Sequence, residues 1–391
     1  MTIKNIIKFI NQWLYKHRIA LGILVLYGFV ALSLMAPMAS SKIIVSINDT
    51  PSHVGYIAQA RTAIIEGQFP LRVAPLEDNS WRYPGFQFYS QLPYFIGGWF
   101  YKIVTPTNPY EAYKLVILIA LMIGGFYIYR LSFKLTESRV AAILAGIAYM
   151  SAPYFLNNIH ARGAFTEAIA QGILPVVIYY VIECYLTGKR RYLVLSALSW
   201  FCLGITHIIT FVYGTLFLAL LALIVIIQTR KTDFTWYRLI PPLEAYGLGW
   251  LLGFYFLAPV VFISPYLSIR KQIKVINPFG TNTYTPLANL LAPTSLPAEP
   301  SETGLAATYG LHPAVGWILL GAWGVVMYYY YFSPSIPPKL QKTRPYMIGL
   351  LWVFIVALFL TWSPVDIWSI LPRQLWVTQF TFRFLTHVMW A

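Results

Sequence analysis

The chain has 391 residues, of which 58% are hydrophobic and only 10% are charged. A soluble globular domain carries about 25% charged residues, so the composition excludes that class. Apolar runs of about 20 residues recur along the whole length, which predicts an all-α polytopic membrane protein of about nine to ten spans. The net charge of +15 does not require a nucleic-acid partner. Lysine and arginine in short loops between spans follow from the positive-inside rule, and we predict no such partner.

Residues 1–18 are basic and amphipathic, which predicts a cytoplasmic helix lying on the bilayer. The first span follows at about 19–39 and runs outward. Residues 40–109 contain no apolar run that is both long and unbroken, so we expect them to form a long outer segment. Within that segment the pattern predicts surface helices over 51–66 and 88–104.

Further spans are predicted at about 110–131, 140–156 and 165–186, two within 192–228, and others at about 240–263, 314–332 and 346–362. The basic loops between them place the N-terminus inside and the long segments 40–109 and 264–313 outside, in a cytoplasmic (plasma) membrane. Residues 380–391 are apolar but too few to cross. We therefore expect a single transmembrane domain over 1–391 that ends within a tenth span.

Asp49 and His53 stand four residues apart just beyond the first span. Asp49 or Thr50 can cap a helix there, and Pro51 suits the first helical turn. A carboxylate just outside a membrane can also stay ionised and accept a proton from an incoming hydroxyl. These two interpretations are compatible, and Asp49 with His53 forms the predicted catalytic pair.

Arg162 and Glu167 flank the start of the span predicted at 165–186. Acidic groups at membrane depth rarely persist without a partner or a function. The two residues either form a local ion pair that orders the turn, or line a polar cavity that faces Asp49. His207 lies near an outer turn, where a histidine is more often structural than catalytic.

Cationic residues of the outer segments are candidates for binding a phosphate. Arg270, Lys271 and Lys274 form either a solvated basic patch or a site for an anionic lipid headgroup. Arg383 is a further candidate because it lies at the outer edge of the last apolar run.

The stretch 81–89 is rich in aromatic residues and includes Arg82 and Tyr83. It is typical of an interfacial aromatic belt, and the same composition also builds sugar-binding platforms. The adjacent Glu77 and Asp78 could suggest a divalent metal, but two carboxylates in a loop do not assign one. The sequence contains no Cys/His metal spacing and no glycine-rich phosphate loop, so no cofactor is assigned.

The order of these motifs resembles the GT-C membrane glycosyltransferases, within them most of all the YfhO-like and 6-pyruvoyl-tetrahydropterin synthase related (PTPS-related) membrane proteins. The motifs that carry the resemblance are Asp49 with His53, Gly67 with Pro70 and Arg72, the stretch from Arg162 to Glu167, and the aromatic-arginine run from Gln379 to Phe384.

The resemblance implies a transferase that takes a sugar from a polyprenyl-phosphate-linked donor in the bilayer. It would deliver the sugar, with inversion, to an envelope glycan, lipid or protein on the outer face. Asp49 would be the base, and cations would hold the phosphate. GT-C relatives that use a divalent metal carry further outer-loop carboxylates, so a metal stays unassigned here. The alternative is a non-catalytic lipid or polysaccharide transporter or assembly partner.

Taken together, the motifs and the resemblance predict the following site. The predicted substrate-binding residues are Arg72, Arg82, Tyr83, His160, Arg162, Glu167 and His207. The predicted lipid-phosphate-binding residues are Arg270, Lys271, Lys274 and Arg383.

Overall fold

The computed structural model describes residues 3–42, 49–77, 81–230, 234–263, 285–293, 296–297, 311–332, 338–365, 370, 378 and 380–391. These residues are overwhelmingly helical, which confirms the predicted all-α polytopic membrane class. In the described part, the only ladder is a two-residue antiparallel pair, Leu296–Pro297 with Leu311–His312.

The described part of the chain contains fifteen α-helices. In order they are α1 (Ile3–Leu34), α2 (Thr50–Ile65), α3 (Gly85–Phe88), α4 (Leu92–Ile103), α5 (Pro109–Thr136), α6 (Arg139–Met150), α7 (Pro153–His160), α8 (Phe165–Thr187), α9 (Arg190–Gly204), α10 (Ile208–Thr229), α11 (Ile240–Ile263), α12 (Leu287–Leu290), α13 (Trp317–Met327), α14 (Pro338–Trp362) and α15 (Leu385–Trp390). Short 3₁₀ turns cover Ala36–Met38, Trp236–Leu239 and Thr381–Phe384, and a π-turn covers Tyr328–Phe332.

Seven helical stretches of the described chain are long and apolar enough to cross a membrane. They are His17–Leu34, Pro109–Thr136, Arg139–His160, Phe165–Thr187, Ile208–Thr229, Trp236–Ile263 and Gln341–Trp362. The apolar helix α13 has 11 residues and α9 has 15 residues, and both fall short of the length that a span needs. These two helices are therefore shorter than the spans predicted at 314–332 and in the first half of 192–228.

In two places the structure divides the helices differently from the prediction. The N-terminal helix and the first span form one continuous helix, α1, rather than two elements. The third predicted span is divided at Ser151 and Ala152 into α6 and α7, because Pro153 begins a new helix there.

The segment between α1 and α5 folds into a helical layer across one end of the bundle. Helices α2 and α4 pack closely, because Gly98 of α4 lies against Ala60 of α2 with no room for a side chain. The short helix α3 is joined to α11 by the Gln87 amide, which donates to the main-chain oxygen of Tyr255 at 3.4 Å. This layer carries Asp49 and His53.

Candidate functional site

Asp49 stands directly before α2, at the position that a capping residue would occupy. Asp49 therefore occupies the predicted capping position, but its side chain makes no capping hydrogen bond. Its main-chain N–H donates to the oxygen of Arg162 at 3.0 Å, and its own oxygen accepts from the N–H of His53 at 3.1 Å. The carboxylate is half-buried and, within the described residues, has no hydrogen-bond partner.

Arg162 and Glu167 form the local ion pair that was one of the two interpretations from sequence. Arg162 Nη1 lies 3.1 Å from Glu167 Oε2, and both side chains are 3% exposed. The same nitrogen donates to Asn158 Oδ1 at 2.5 Å and to the Tyr154 hydroxyl at 3.2 Å. The Tyr154 hydroxyl in turn donates to Glu167 Oε1 at 2.5 Å. This network fixes the turn between α7 and α8.

Arg383, more than 200 residues further along the chain, reaches the same network. Its Nε lies 3.5 Å from Glu167 Oε2, and its side chain is 14% exposed. Among the described residues it makes this ion pair and no side-chain hydrogen bond, and its Nε is buried without a hydrogen-bond acceptor. Arg383 therefore has fewer polar partners among the described residues than Arg162, whose Nη1 alone has three.

The pKa of Asp49 reflects this setting. Burial raises the pKa of its carboxyl group, Arg162 and Arg383 oppose that rise, and Glu167 adds to it. A carboxylate with a raised pKa is a stronger proton acceptor than an ordinary aspartate. The four side chains therefore act on one another electrostatically at one place in the fold.

His53 points into the protein rather than towards solvent, and it is 4% exposed. Its Nδ1 lies 2.7 Å from the Tyr94 hydroxyl of α4. Burial, with smaller contributions from His207 and Arg162, lowers the pKa of His53 to about 3. His53 is accordingly a neutral hydrogen-bonding group at physiological pH and cannot serve as a proton-donating imidazolium.

Aromatic rings enclose His53. The Tyr89 ring is stacked on it at a centroid distance of 6.1 Å, and Phe165 lies 5.7 Å away on a tilted plane. Tyr89 is 47% exposed, while its hydroxyl lies 3.4 Å from Thr166 Oγ1. Tyr89 thus connects the exposed aromatic stretch 81–89 to the buried polar network.

His207 caps the start of α10, where its Nδ1 accepts from the Thr210 N–H at 3.3 Å. It also lies within electrostatic range of Glu167, Arg383 and Arg162. We refer to Asp49, His53, Arg162, Glu167, His207 and Arg383 as the Asp49 cluster. The structure therefore brings six of the sequence-predicted residues together from four separate parts of the chain.

Other predicted residues lie elsewhere. Arg82 is exposed and forms two 3.1 Å contacts with the Glu66 carboxylate, and Tyr83 is 47% exposed. Arg72 is also exposed. His160 Nε2 lies 2.9 Å from the main-chain oxygen of Leu34. Arg270, Lys271 and Lys274 lie outside the described residues, so their predicted role in phosphate binding stays a prediction.

No group of three or more His, Cys, Asp or Glu side chains in the described part of the chain could hold a metal ion. Asp78, half of the carboxylate pair considered from sequence, lies outside that part. Its neighbour Glu77 accepts from the Tyr56 hydroxyl at 2.9 Å.

The sequence did not single out Tyr94, Tyr154 or Asn158 as site residues. Tyr94 stands in a mainly apolar helix, and a buried tyrosine hydroxyl usually has a hydrogen-bond partner. That rule predicts that the Tyr94 hydroxyl has a hydrogen-bond partner, but it does not identify His53 as that partner. Asn158 is fully buried, and its Nδ2 has no hydrogen-bond partner among the described residues.

A family model described as the 6-pyruvoyl-tetrahydropterin synthase related domain, a membrane protein, matches residues 86–293. The matched region is more than half of the chain. It includes Arg162, Glu167 and His207 of the Asp49 cluster, whereas Asp49, His53 and Arg383 flank it. No curated protein matches the chain.

Proposed function

The chain belongs to the family of 6-pyruvoyl-tetrahydropterin synthase related membrane proteins, and we propose that it is a GT-C-type membrane glycosyltransferase. In this proposal the Asp49 cluster transfers a sugar from a polyprenyl-phosphate-linked donor to an envelope acceptor on the outer face. The observation that carries the proposal is that an aspartate without a capping hydrogen bond, Asp49, interacts electrostatically with Arg383. Among the described residues the Arg383 guanidinium makes one ion pair, at 3.5 Å with Glu167, and no side-chain hydrogen bond.

Asp49 is the base. The acceptor hydroxyl gives its proton to the Asp49 carboxylate as its oxygen forms a bond to the anomeric carbon of the sugar. The bond from that carbon to the phosphate oxygen breaks, and its electron pair leaves with the polyprenyl phosphate. The raised pKa of Asp49 suits this role, because a stronger base removes the proton more readily.

Arg383 is the cation that we assign to the leaving phosphate. Arg162 is neutralised by Glu167 and almost fully buried, so it cannot reach a ligand without breaking that pair. Arg383 shares the same carboxylate only at 3.5 Å and is more exposed. A phosphate oxygen beside it would accept a charge-assisted hydrogen bond, which its guanidinium does not make with the described residues. The predicted cations Arg270, Lys271 and Lys274 would complement it.

The aromatic residues position the donor sugar. A half-exposed tyrosine ring offers a flat apolar surface with a polar edge, which suits the face of a sugar ring. Tyr89 has this character, and its ring is nearly parallel to that of His53 at a centroid distance of 6.1 Å. His53, held neutral by burial, donates or accepts a hydrogen bond without changing charge during the reaction.

The proposal is tested by replacing Asp49 with asparagine in cells that carry no other copy of the gene. Envelope glycans and glycolipids are then compared by mass spectrometry. We expect the wild-type chain to restore a sugar-bearing species and Asp49→Asn, at equal membrane abundance, not to restore it.

Glu66→Gln is the matched control, because Glu66 ends the same helix that Asp49 begins and lies outside the cluster. We expect this variant to restore the product. Restoration by Asp49→Asn would instead favour a non-catalytic role in transport or assembly, for which no base is required.

A further inference from the structure

The carboxylate of Glu167 is held from two sides. Its Oε1 accepts a hydrogen bond from the Tyr154 hydroxyl at 2.5 Å, and its Oε2 accepts one from Arg162 Nη1 at 3.1 Å. The terminal torsion of a glutamate side chain is broad, so a carboxylate with one partner can turn about its last bond. Two partners on different oxygens fix the plane of the Glu167 carboxylate.

Arg383 meets this fixed carboxylate at one oxygen. Its Nε lies 3.5 Å from Glu167 Oε2, which is longer than the usual range of about 2.7–3.2 Å for an N–H···O hydrogen bond. Arginine and a carboxylate that are free to adjust often form a bidentate pair, in which two N–H groups meet both oxygens. The guanidinium also lies over the Phe380 ring, with its Cζ 5.6 Å from the ring centroid. That contact uses the face of the guanidinium and none of its N–H groups.

Tyr154 is placed so that it opposes a bidentate pair between Arg383 and Glu167. Its hydroxyl occupies Oε1, the oxygen that Arg383 would have to reach as well. Its ring packs edge-on against Phe382, the chain neighbour of Arg383, at a centroid distance of 6.2 Å. Tyr154 is 1% exposed, so its effect on any ligand has to pass through the side chains that it contacts.

We propose that Tyr154 is a positioning residue that keeps the Arg383 guanidinium available to the leaving phosphate. This inference rests on the proposed function, in which Arg383 binds that phosphate. With the Tyr154 hydroxyl in place, Glu167 neutralises Arg162 and meets Arg383 only at a distance. Without the hydroxyl, the Glu167 carboxylate turns and both of its oxygens pair with Arg383. The N–H groups that would bind the phosphate are then used within the protein.

The proposal is tested by the binding of polyprenyl phosphate to the full chain in lipid nanodiscs. Polyprenol, which lacks only the phosphate, is the second ligand, and we expect the wild type to bind it less tightly. Tyr154→Phe removes one hydroxyl and keeps the ring. It should weaken the binding of polyprenyl phosphate about tenfold, which corresponds to one charge-assisted hydrogen bond. The binding of polyprenol should not change.

Tyr149→Phe is the matched control. Tyr149 is 2% exposed, and its hydroxyl donates to the main-chain oxygen of Gln171 at 2.6 Å. Both variants therefore lose one buried hydrogen bond, but the bond of Tyr149 involves no residue of the Asp49 cluster. We expect Tyr149→Phe to bind polyprenyl phosphate as the wild type does. An equal loss in the two variants would reflect a general effect on folding and would overturn the proposal.

Arg383→Gln shows whether Tyr154 acts through Arg383. In that background there is no guanidinium for Glu167 to pair with. Tyr154→Phe should therefore cause no further loss in the binding of polyprenyl phosphate when the two changes are combined. Losses that add up in the double variant would overturn the proposal, and so would wild-type binding by Tyr154→Phe alone.

The outcomes for Tyr154 and for the transferase can be told apart. Weak phosphate binding by Tyr154→Phe, together with transfer by Asp49→Asn at the wild-type rate, would support the positioning role and contradict Asp49 as the base. Unchanged phosphate binding by Tyr154→Phe, together with no transfer by Asp49→Asn, would do the reverse. A wild type that binds polyprenyl phosphate and polyprenol equally would overturn the assignment of Arg383 and, with it, the role of Tyr154.

Discussion

An aspartate that only caps a helix turns its carboxylate back onto the first free amides of that helix. Asp49 has the position of such a residue, but its side chain makes no such bond. Its carboxylate instead lies where Arg162, Arg383 and Glu167 all influence its pKa. We assign Asp49 a reacting role because it stands at a capping position and yet its carboxylate does not cap the helix.

The raised pKa of Asp49 predicts a specific pH dependence. A base works only in its ionised form. The rate of transfer should therefore be greatest above the pKa of Asp49 and should fall as the pH is lowered through that pKa. The midpoint should lie above the ordinary aspartate value of 3.8. His53, with a pKa of about 3, stays neutral and adds no step between about pH 5 and 8. The measurement is the rate at saturating donor as a function of pH.

Arg383→Gln provides a second reading of the same titration. Arg383 opposes the rise in the pKa of Asp49, so its removal should move the midpoint to higher pH. Glu66→Gln, outside the cluster, should leave the midpoint where it is. An unmoved midpoint in Arg383→Gln would show that the titrating group is not Asp49.

Glu167 should be far more important for stability than an exposed carboxylate. Glu167→Gln leaves the buried Arg162 charge without its partner, and breaking a buried pair in this way costs about 3–5 kcal/mol. Glu66→Gln breaks the exposed pair with Arg82, which is worth about 0–1 kcal/mol. Melting temperatures of the purified variants in detergent should therefore separate widely. Equal melting temperatures would contradict the assignment of a structural ion pair to Arg162 and Glu167.

At the scale of the helix, hydrophobic length predicts spans well where nothing polar competes. The prediction of 240–263 coincides with α11 (Ile240–Ile263), and that of 165–186 ends one residue before α8 does. The prediction of 110–131 ends too early, because α5 continues to Thr136. Lys134, expected in a loop, lies on that last turn and bonds Glu183 of α8 at 2.7 Å. An ion pair between helices is a tertiary contact that hydropathy cannot reveal.

The contact between α5 and α8 depends on a glycine. A side-chain carbon at Gly172 of α8 would lie 2.5 Å from the main-chain oxygen of Ala120 of α5, so the two helices approach more closely than any other residue allows. Gly172→Ala should therefore destabilise the protein, by about 1–3 kcal/mol if the helices shift as overpacked cores do. The melting temperature in detergent measures this effect.

Gly55 provides the matched control. It lies within α2, and an added side-chain carbon there would meet nothing within 4 Å. Gly55→Ala should leave stability unchanged or raise it by about 0.5–1 kcal/mol, since alanine favours a helix over glycine. A loss from Gly55→Ala as large as that from Gly172→Ala would show that helix packing is not what distinguishes them.

At the scale of the whole molecule, the sequence predicts several individual residues of the Asp49 cluster, but it does not predict that they lie together in the fold. The sequence indicates Asp49, Arg162, Glu167 and Arg383 separately, because each is a polar residue beside an apolar run. Their meeting depends on how α2, α8 and the turn at Thr381–Phe384 pack, and no local pattern encodes that packing. The same is true of Tyr94, which the sequence presents as one more aromatic residue of an apolar helix.

The two ends of the bundle are polar in different ways. At the end that carries Asp49, the charges are largely buried and drawn from distant parts of the chain. At the other end, Lys134 pairs with Glu183, and Arg130 stacks on the Tyr179 ring at 4.2 Å. The latter contacts join two neighbouring helices and are explained by helix packing alone. This contrast is why we assign the reaction to the Asp49 end.

The central claim is that Asp49 removes a proton while polyprenyl phosphate departs. Free polyprenyl phosphate is the product common to every sugar and every acceptor, so its release is the most direct measurement. Purified chains in nanodiscs would be given a panel of polyprenyl-phosphate-linked sugars with an envelope extract as the source of acceptors. The wild type should release polyprenyl phosphate from at least one donor. Asp49→Asn should bind that donor but release polyprenyl phosphate more slowly, by a factor of about 100 or more. Release at the wild-type rate would contradict the claim.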